Sequence, residues 1–146
     1  MHKKLLNIID ENKIELIEEP LSERILGLYA DNVIVINKNI ATSVEKSCVL
    51  AEELGHYFTS YGDILDQTEL TNKKQEARAR RWAAFQLISV EDLIQACKDG
   101  VKNKFELAEY LNISEDFIDT AVEHFYALYG DCLTMDDYTI YFNPTK

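Results

Sequence analysis

The sequence predicts an α+β fold in which a small antiparallel sheet packs on a mainly helical chain of 146 residues. Two apolar, β-branched runs surround Asp31-Asn32, a pair that is typical of a hairpin turn. Elsewhere, apolar residues recur three and four positions apart, which is typical of amphipathic helices. No linker, repeat or low-complexity segment interrupts the chain, so we expect one domain over residues 1–146.

The first half is predicted to carry most of the strands. Residues 2–12 should form a helix, and residues 14–19 should form a strand that ends before Pro20. The hairpin strands then occupy residues 25–30 and 33–37. These boundaries follow from apolar periodicity and from the breaking effect of proline on a strand.

The centre of the chain is predicted to hold two long helices. Thr42 and Glu45 have the spacing of a capping box, which should begin a helix that runs to about residue 60. A polar loop over 61–72 should follow, and then a helix over 73–88. A further short helix should begin at Ser89.

The C-terminal part resembles a helix-turn-helix over residues 103–130, followed by an edge strand over 138–142 that Pro144 closes. The second helix of that pair exposes only acids and carries no lysine or arginine. These acids are Glu115, Asp116, Asp119 and Glu123. Because duplex affinity depends on neutralising phosphates, this surface and the net charge of −11 predict no nucleic-acid partner.

Charge and hydropathy also indicate the cellular location of the protein. A net charge of −11 disfavours an anionic membrane surface, and no apolar run is long enough to span a bilayer. The N-terminus lacks the pattern of a signal peptide. Cys48, Cys97 and Cys132 are widely spaced and odd in number, which is typical of free thiols. We therefore expect a cytoplasmic protein without a membrane partner.

The pentad Glu52-Glu53-Leu54-Gly55-His56 differs by one residue from His-Glu-x-x-His, the zinc-protease helix motif. On a helix, Glu52 and His56 lie one turn apart on the same face, so a carboxylate and an imidazole can converge on one ion. Glu53 lies about 100° around the helix, on the flank where a general base would meet the attacking water.

A different interpretation of the pentad is a solvated acidic face that ends in a histidine near a helix C-terminus. Its neighbours disfavour this interpretation because they are apolar: Val49, Leu50, Ala51 and Leu54. Buried carboxylates and imidazoles cost free energy unless a partner or a metal ion satisfies them. The pentad is therefore a candidate metal helix.

A third protein ligand is expected, because catalytic zinc sites commonly use three. Glu76 is the candidate, since it precedes a stripe of small and then bulky apolar residues on the next helix. The competing interpretation is electrostatic. Asn72 and Gln75 resemble a capping box, which would place Glu76 in a first helical turn, where acids are favoured in any case.

Three segments together resemble the ImmA/IrrE-type metallopeptidases of phages, integrative elements and their hosts. They read ILGLYADNVIVINKNI, VLAEELGHYFTS and EARARRWAAFQL. The resemblance implies a zincin-like minimal metalloprotease fold, with His56 and Glu76 as metal ligands and Glu53 as the catalytic glutamate. Glu52 falls where the family has its first histidine ligand.

The expected function is that of a metal-dependent endopeptidase. As the resemblance implies, the substrate would be a phage or mobile-element repressor. Zn²⁺ is the expected ion because zinc accepts carboxylate as well as imidazole ligands. Glu52 makes the ligand set richer in oxygen, which shifts the preference toward harder ions, so Mn²⁺ is the alternative. Cys48 or His124 could replace Glu52 as a ligand. The competing function is an inactive interaction module of the same fold that binds a repressor without cutting it.

Overall fold

The computed structural model of the chain describes residues 2–59, 69–135 and 137–142. Within these ranges the chain forms helices and two small sheets, which confirms the α+β class. The helices are α1 Lys3–Glu11, α2 Ser43–Thr59, α3 Glu69–Leu87, α4 Val90–Lys98, α5 Lys104–Leu111 and α6 Glu115–Tyr129. The strands are β1 Glu15–Glu19, β2 Gly27–Ala30, β3 Val33–Asn37, β4 Cys132–Met135 and β5 Tyr138–Tyr141.

The first sheet is mixed, which corrects the prediction of a small antiparallel sheet. Its order is β1-β3-β2: β2 and β3 form the expected antiparallel hairpin, while β1 runs parallel to β3. The chain must therefore cross from one side of β3 to the other between β1 and β2. The buried side chain of Asn37 supports this crossing by donating hydrogen bonds to the carbonyls of Leu21, Ser22 and Ile25.

The core lies between this sheet and the helices. Ile34 and Ile36 of β3 are fully buried, as are Leu50 and Leu54 of α2. Helix α2 lies directly against α3 because Gly55 has no side chain: a Cβ there would overlap the carbonyl of Ala79. This close approach places the pentad next to the face of α3.

Helix α3 begins earlier than expected. It starts at Glu69, so the predicted helix start near residue 73 was wrong, and residues 69–72 of the predicted loop are helical. Residues 61–68 of that predicted loop lie outside the described residues. Asn72 is an interior helical residue rather than a cap, and Glu76 lies about two turns into the helix. First-turn electrostatics therefore do not account for Glu76.

Helix α4 begins as the sequence predicts. Ser89 accepts a hydrogen bond from the Asp92 backbone N–H, and the Asp92 side chain accepts one from the Ser89 backbone N–H. Lys4 of α1 also donates to Asp92 at 2.7 Å. Asp92 therefore both completes the capping box of α4 and, through Lys4, joins the start of α4 to α1.

The C-terminal part contains the predicted helix pair, α5 and α6. Asn112 adopts a left-handed conformation between them (φ +60°), and Ser114 caps α6. Helix α6 buries its apolar face: Phe117, Ile118, Ala121 and Phe125. The final strand is Tyr138–Tyr141, which pairs with β4, a strand that the sequence did not predict. The expected closure at Pro144 lies outside the described residues. In the ranges described, no helix is both long and apolar enough to cross a bilayer.

Candidate metal centre

The pentad occupies the second half of α2, as predicted. Its apolar neighbours, Val49, Leu50, Ala51 and Leu54, are buried, whereas Glu52, Glu53 and His56 are half-buried. The three polar side chains therefore lie at the margin of the core, where water can reach them only in part. The prediction that the pentad sits in an apolar setting is confirmed.

His56 and Glu76 lie close together across the helix pair. The Nε2 atom of His56 lies 3.1 Å from an Oε1 oxygen of Glu76, and the His56 side chain is only 15% exposed. The absence of a side chain at Gly55 permits this approach, because α3 can lie directly on α2. Residues on two helices, predicted separately, are thus neighbours.

This pair fits two positions of a divalent metal ion. Imidazole nitrogen and carboxylate oxygen are both accepted zinc ligands, each roughly 2.0–2.2 Å from the ion. Two such donors on one tetrahedral ion lie roughly 3–3.5 Å apart. The separation of 3.1 Å between His56 and Glu76 falls within that range.

The third predicted ligand, Glu52, pairs with an arginine. Glu52 accepts a hydrogen bond of 2.9 Å from Nη1 of Arg80, on the next turn of α3 after Glu76. Burial raises the pKa of the Glu52 carboxyl, and nearby Glu76 adds to the increase, while Arg80 opposes it. In the described part of the chain, no three histidine, cysteine or acidic side chains gather as a metal site would require.

Glu53 lies on the other flank of α2, against the sheet. A Cβ at Gly27 would lie 2.9 Å from Cγ of Glu53, so β2 closely confines this carboxylate. Burial raises the pKa of Glu53, Glu52 and Glu76 add to the increase, and His56 opposes it. Tyr29, also on β2, stacks on the His56 ring at 5.7 Å with an interplanar angle of 2°.

The two alternative ligands, Cys48 and His124, have contacts of their own. Cys48 lines a cavity beside α2 and interacts with Ser114; burial raises the pKa of its thiol, and the contacts with Ser114 oppose this. His124 packs edge-on against Phe85, with ring centroids 4.0 Å apart. Its pKa is lowered by burial and by the charge of Arg81.

Sequence reasoning missed Arg80 and Tyr29. Arg80 follows Glu76 by four residues, so both project from one face of α3 toward α2. That spacing could have identified Arg80 as a neighbour of the pentad. Tyr29 belongs to a strand, and its position against His56 depends on how the sheet packs on α2, which no local pattern encodes.

Comparison with known families bears on this geometry. The family model for the IrrE N-terminal-like peptidase domain matches residues 9–123, which include α2, α3 and the first sheet. The chain belongs to this family. Membership indicates a metallopeptidase of the ImmA/IrrE type and a protein substrate. Neither a curated protein nor a solved structure matches the chain.

Proposed function

We propose that this member of the IrrE N-terminal-like peptidase family is a metal-dependent endopeptidase. Its ion would be held by His56 and Glu76, with Glu52 as the third protein ligand. The observation that carries this proposal is the 3.1 Å contact between His56 and Glu76. It joins a motif histidine to a carboxylate on a different helix, as the ligand set requires. We expect the ion to be Zn²⁺, with Mn²⁺ as the alternative.

The bound ion and Glu53 would have different roles in peptide hydrolysis. A bound divalent ion would supply Lewis-acid polarisation of the scissile carbonyl. Glu53 acts as the general base, taking a proton from the attacking water and returning it to the leaving amine. Its confinement between α2 and Gly27 keeps the carboxylate in place, and its raised pKa makes it a better proton acceptor than an exposed glutamate.

The strand beside the site offers a place for an extended peptide. Strand β2 pairs with β3 along one edge, and in the described part of the chain its other edge pairs with no strand. Leu26, which directly precedes β2, and Leu28 within it are about half exposed (53% and 48%). A peptide added along this edge would gain main-chain hydrogen bonds beside His56. We propose a phage or mobile-element repressor as the substrate.

One observation favours a second function. The ion pair between Glu52 and Arg80 satisfies the carboxylate without any metal. A chain that keeps this arrangement permanently would retain the fold and could bind a repressor without cutting it. This interaction module is the second candidate.

Metal content and cleavage distinguish the two candidates. We expect protein purified without chelators to hold close to one metal ion per chain, and His56→Ala to lose it, because His56 is the only nitrogen donor of the proposed set. Glu53→Gln should keep the metal but reduce cleavage of a co-encoded repressor by at least about a hundredfold. Lack of cleavage by the wild-type chain with Zn²⁺ and with Mn²⁺ would favour the interaction module.

A further inference from the structure

We propose that Arg80 competes with the metal ion for Glu52, so that the third ligand becomes available only when this ion pair opens. The inference rests on the proposed function, since it concerns the same ligand set. It assigns to Arg80 a positioning role: the guanidinium acts through Glu52 and does not touch the substrate.

Arg80 is held in place by more than Glu52. Its Nε atom donates to Thr120 at 3.4 Å, and its Nη2 atom lies 3.9 Å from Asp116. The guanidinium also lies over the ring of Phe117, 5.0 Å from the centroid. All three residues belong to the first turns of α6. The arginine is therefore anchored between α3 and α6, and it holds the Glu52 carboxylate from that position.

The contact with Arg80 holds the Glu52 carboxylate beside a cavity. Glu52 and Arg80 both line a cavity of about 260 Å³, together with Leu26, Cys48, Ser114 and Phe117. His56 and Glu76 do not line it. The Glu52 carboxylate thus lies at this cavity, paired with Arg80, whereas His56 and Glu76 contact each other outside the lining of the cavity.

The Glu52 carboxylate cannot pair fully with the Arg80 guanidinium and bind the metal ion at the same time. Charge-assisted pairing with the guanidinium reduces the fraction of chains in which the carboxylate is unpaired. The apparent affinity for the ion falls in proportion to that fraction, because only the unpaired carboxylate can bind the ion. Both side chains are partly exposed (39% and 35%), so solvent weakens the pair. A surface pair worth up to about 1 kcal/mol corresponds to roughly a fivefold change in affinity.

The test compares two arginines that are adjacent in sequence. Arg80→Gln and Arg81→Gln each remove one positive charge from α3, but Arg81 is exposed and does not line the cavity. Zinc affinity is measured by competition with a chromogenic chelator. We expect Arg80→Gln to bind zinc about fivefold more tightly than wild type. Arg81→Gln should remain within about twofold of wild type, because only a distant charge is lost.

A double-mutant cycle establishes whether Arg80 acts through Glu52. In a Glu52→Gln background residue 52 no longer has a carboxylate for which Arg80 and the ion can compete. Arg80→Gln should then raise zinc affinity no more than Arg81→Gln does. A gain that persists in that background would mean simple charge repulsion and would overturn the proposal. Weaker zinc binding by Arg80→Gln would also overturn it, since Arg80 would then orient Glu52 as a ligand.

The outcome does not depend on proteolysis. A chain that binds zinc as expected but cuts no repressor would overturn the proposed function and leave the role of Arg80 intact. Equal zinc affinity of wild type and Arg80→Gln, including no binding by either, would overturn the role of Arg80. If Arg80→Gln does not fold, Arg80→Met keeps the apolar stem beside Phe117 and carries the same expectation.

Discussion

Tyr29 and His56 stack with their rings parallel within 2°, which fixes the orientation of the imidazole from the sheet side. Glu76 contacts the same imidazole from α3. The histidine, which belongs to α2, is therefore contacted from two other elements, β2 and α3. Preorganisation of this kind lowers the cost of ordering a ligand when an ion binds.

Replacing Tyr29 should weaken the metal site without removing a ligand. Tyr29→Leu loses the ring stack, which is worth about 0.5–1.5 kcal/mol in aromatic pairs, so zinc affinity should fall by roughly two- to tenfold. Tyr29→Phe keeps the ring and serves as the control, with affinity unchanged. Chelator competition measures both. Equal affinity in Tyr29→Leu and Tyr29→Phe would show that the stack does not orient His56.

Restoring a histidine at residue 52 should strengthen zinc binding. Glu52→His replaces an anionic oxygen donor with a neutral nitrogen and removes the partner of Arg80. We expect zinc affinity to increase by roughly tenfold, or about 1.4 kcal/mol, and preference for zinc over manganese to rise. Glu91→His places the same residue on an exposed face of α4 as the control. Weaker zinc binding by Glu52→His would mean that the geometry at residue 52 suits oxygen.

Gly55→Ala should separate α2 from α3. A methyl group there would overlap the Ala79 carbonyl, which is backbone and cannot rotate away. Overpacking of this kind costs about 1–3 kcal/mol, although alanine is intrinsically the better helix former. Thermal unfolding should show a lower Tm, and metal affinity should fall because Glu76 moves away from His56. A Tm at or above that of wild type would contradict the close contact.

The tie between α1 and α4 should be sensitive to acid. Burial alone would raise the pKa of Asp92, but hydrogen bonds from Lys4 and from the Ser89 backbone outweigh it and hold the pKa below the ordinary value of 3.8. Because the folded-state pKa is depressed, this stabilisation is present above pH 3.8 and is lost as pH falls through the folded-state value.

Asp92→Asn tests this dependence. It should lower the free energy of unfolding by about 1 kcal/mol near neutral pH, and the difference from wild type should shrink in acid. Urea unfolding at several pH values measures it. Glu91→Gln, a neighbouring exposed acid, is the control and should change little. A difference that stays constant down to pH 2 would rule out the charged form of Asp92 as its source.

Local signals predicted the helix starts well. Thr42 accepts a hydrogen bond from the Glu45 backbone N–H at 3.1 Å, and Ser89 forms its box with Asp92, so each cap lies where its sequence pattern indicated. The start of α3 was misjudged because Asn72 is of a residue type that favours a helix cap, whereas the helix begins at Glu69. Residues 69–71 are already helical, so position 72 cannot begin the helix.

Contacts between distant parts of the chain could not be predicted from local patterns. The parallel pairing of β1 with β3 joins residues such as Glu15 and Val33, and hairpin signals say nothing about it. The same holds for Glu52, whose spacing relative to His56 predicted a shared ligand role. Its partner instead depends on where α3 presents Arg80, and that position follows from how the helices pack. The zincin-like fold and the ligand set remain predictions.

The buried side chain of Asn37 has a consequence for binding. Its side-chain amide donates to the carbonyls of Leu21, Ser22 and Ile25, and the Asn37 backbone N–H donates to the carbonyl of Leu26, a residue that lines the cavity. The conformational entropy of this segment is thus given up when the chain folds rather than when a peptide arrives. A peptide that docks beside Leu26 would meet an edge already in its final shape, and its affinity would be free of a loop-ordering cost.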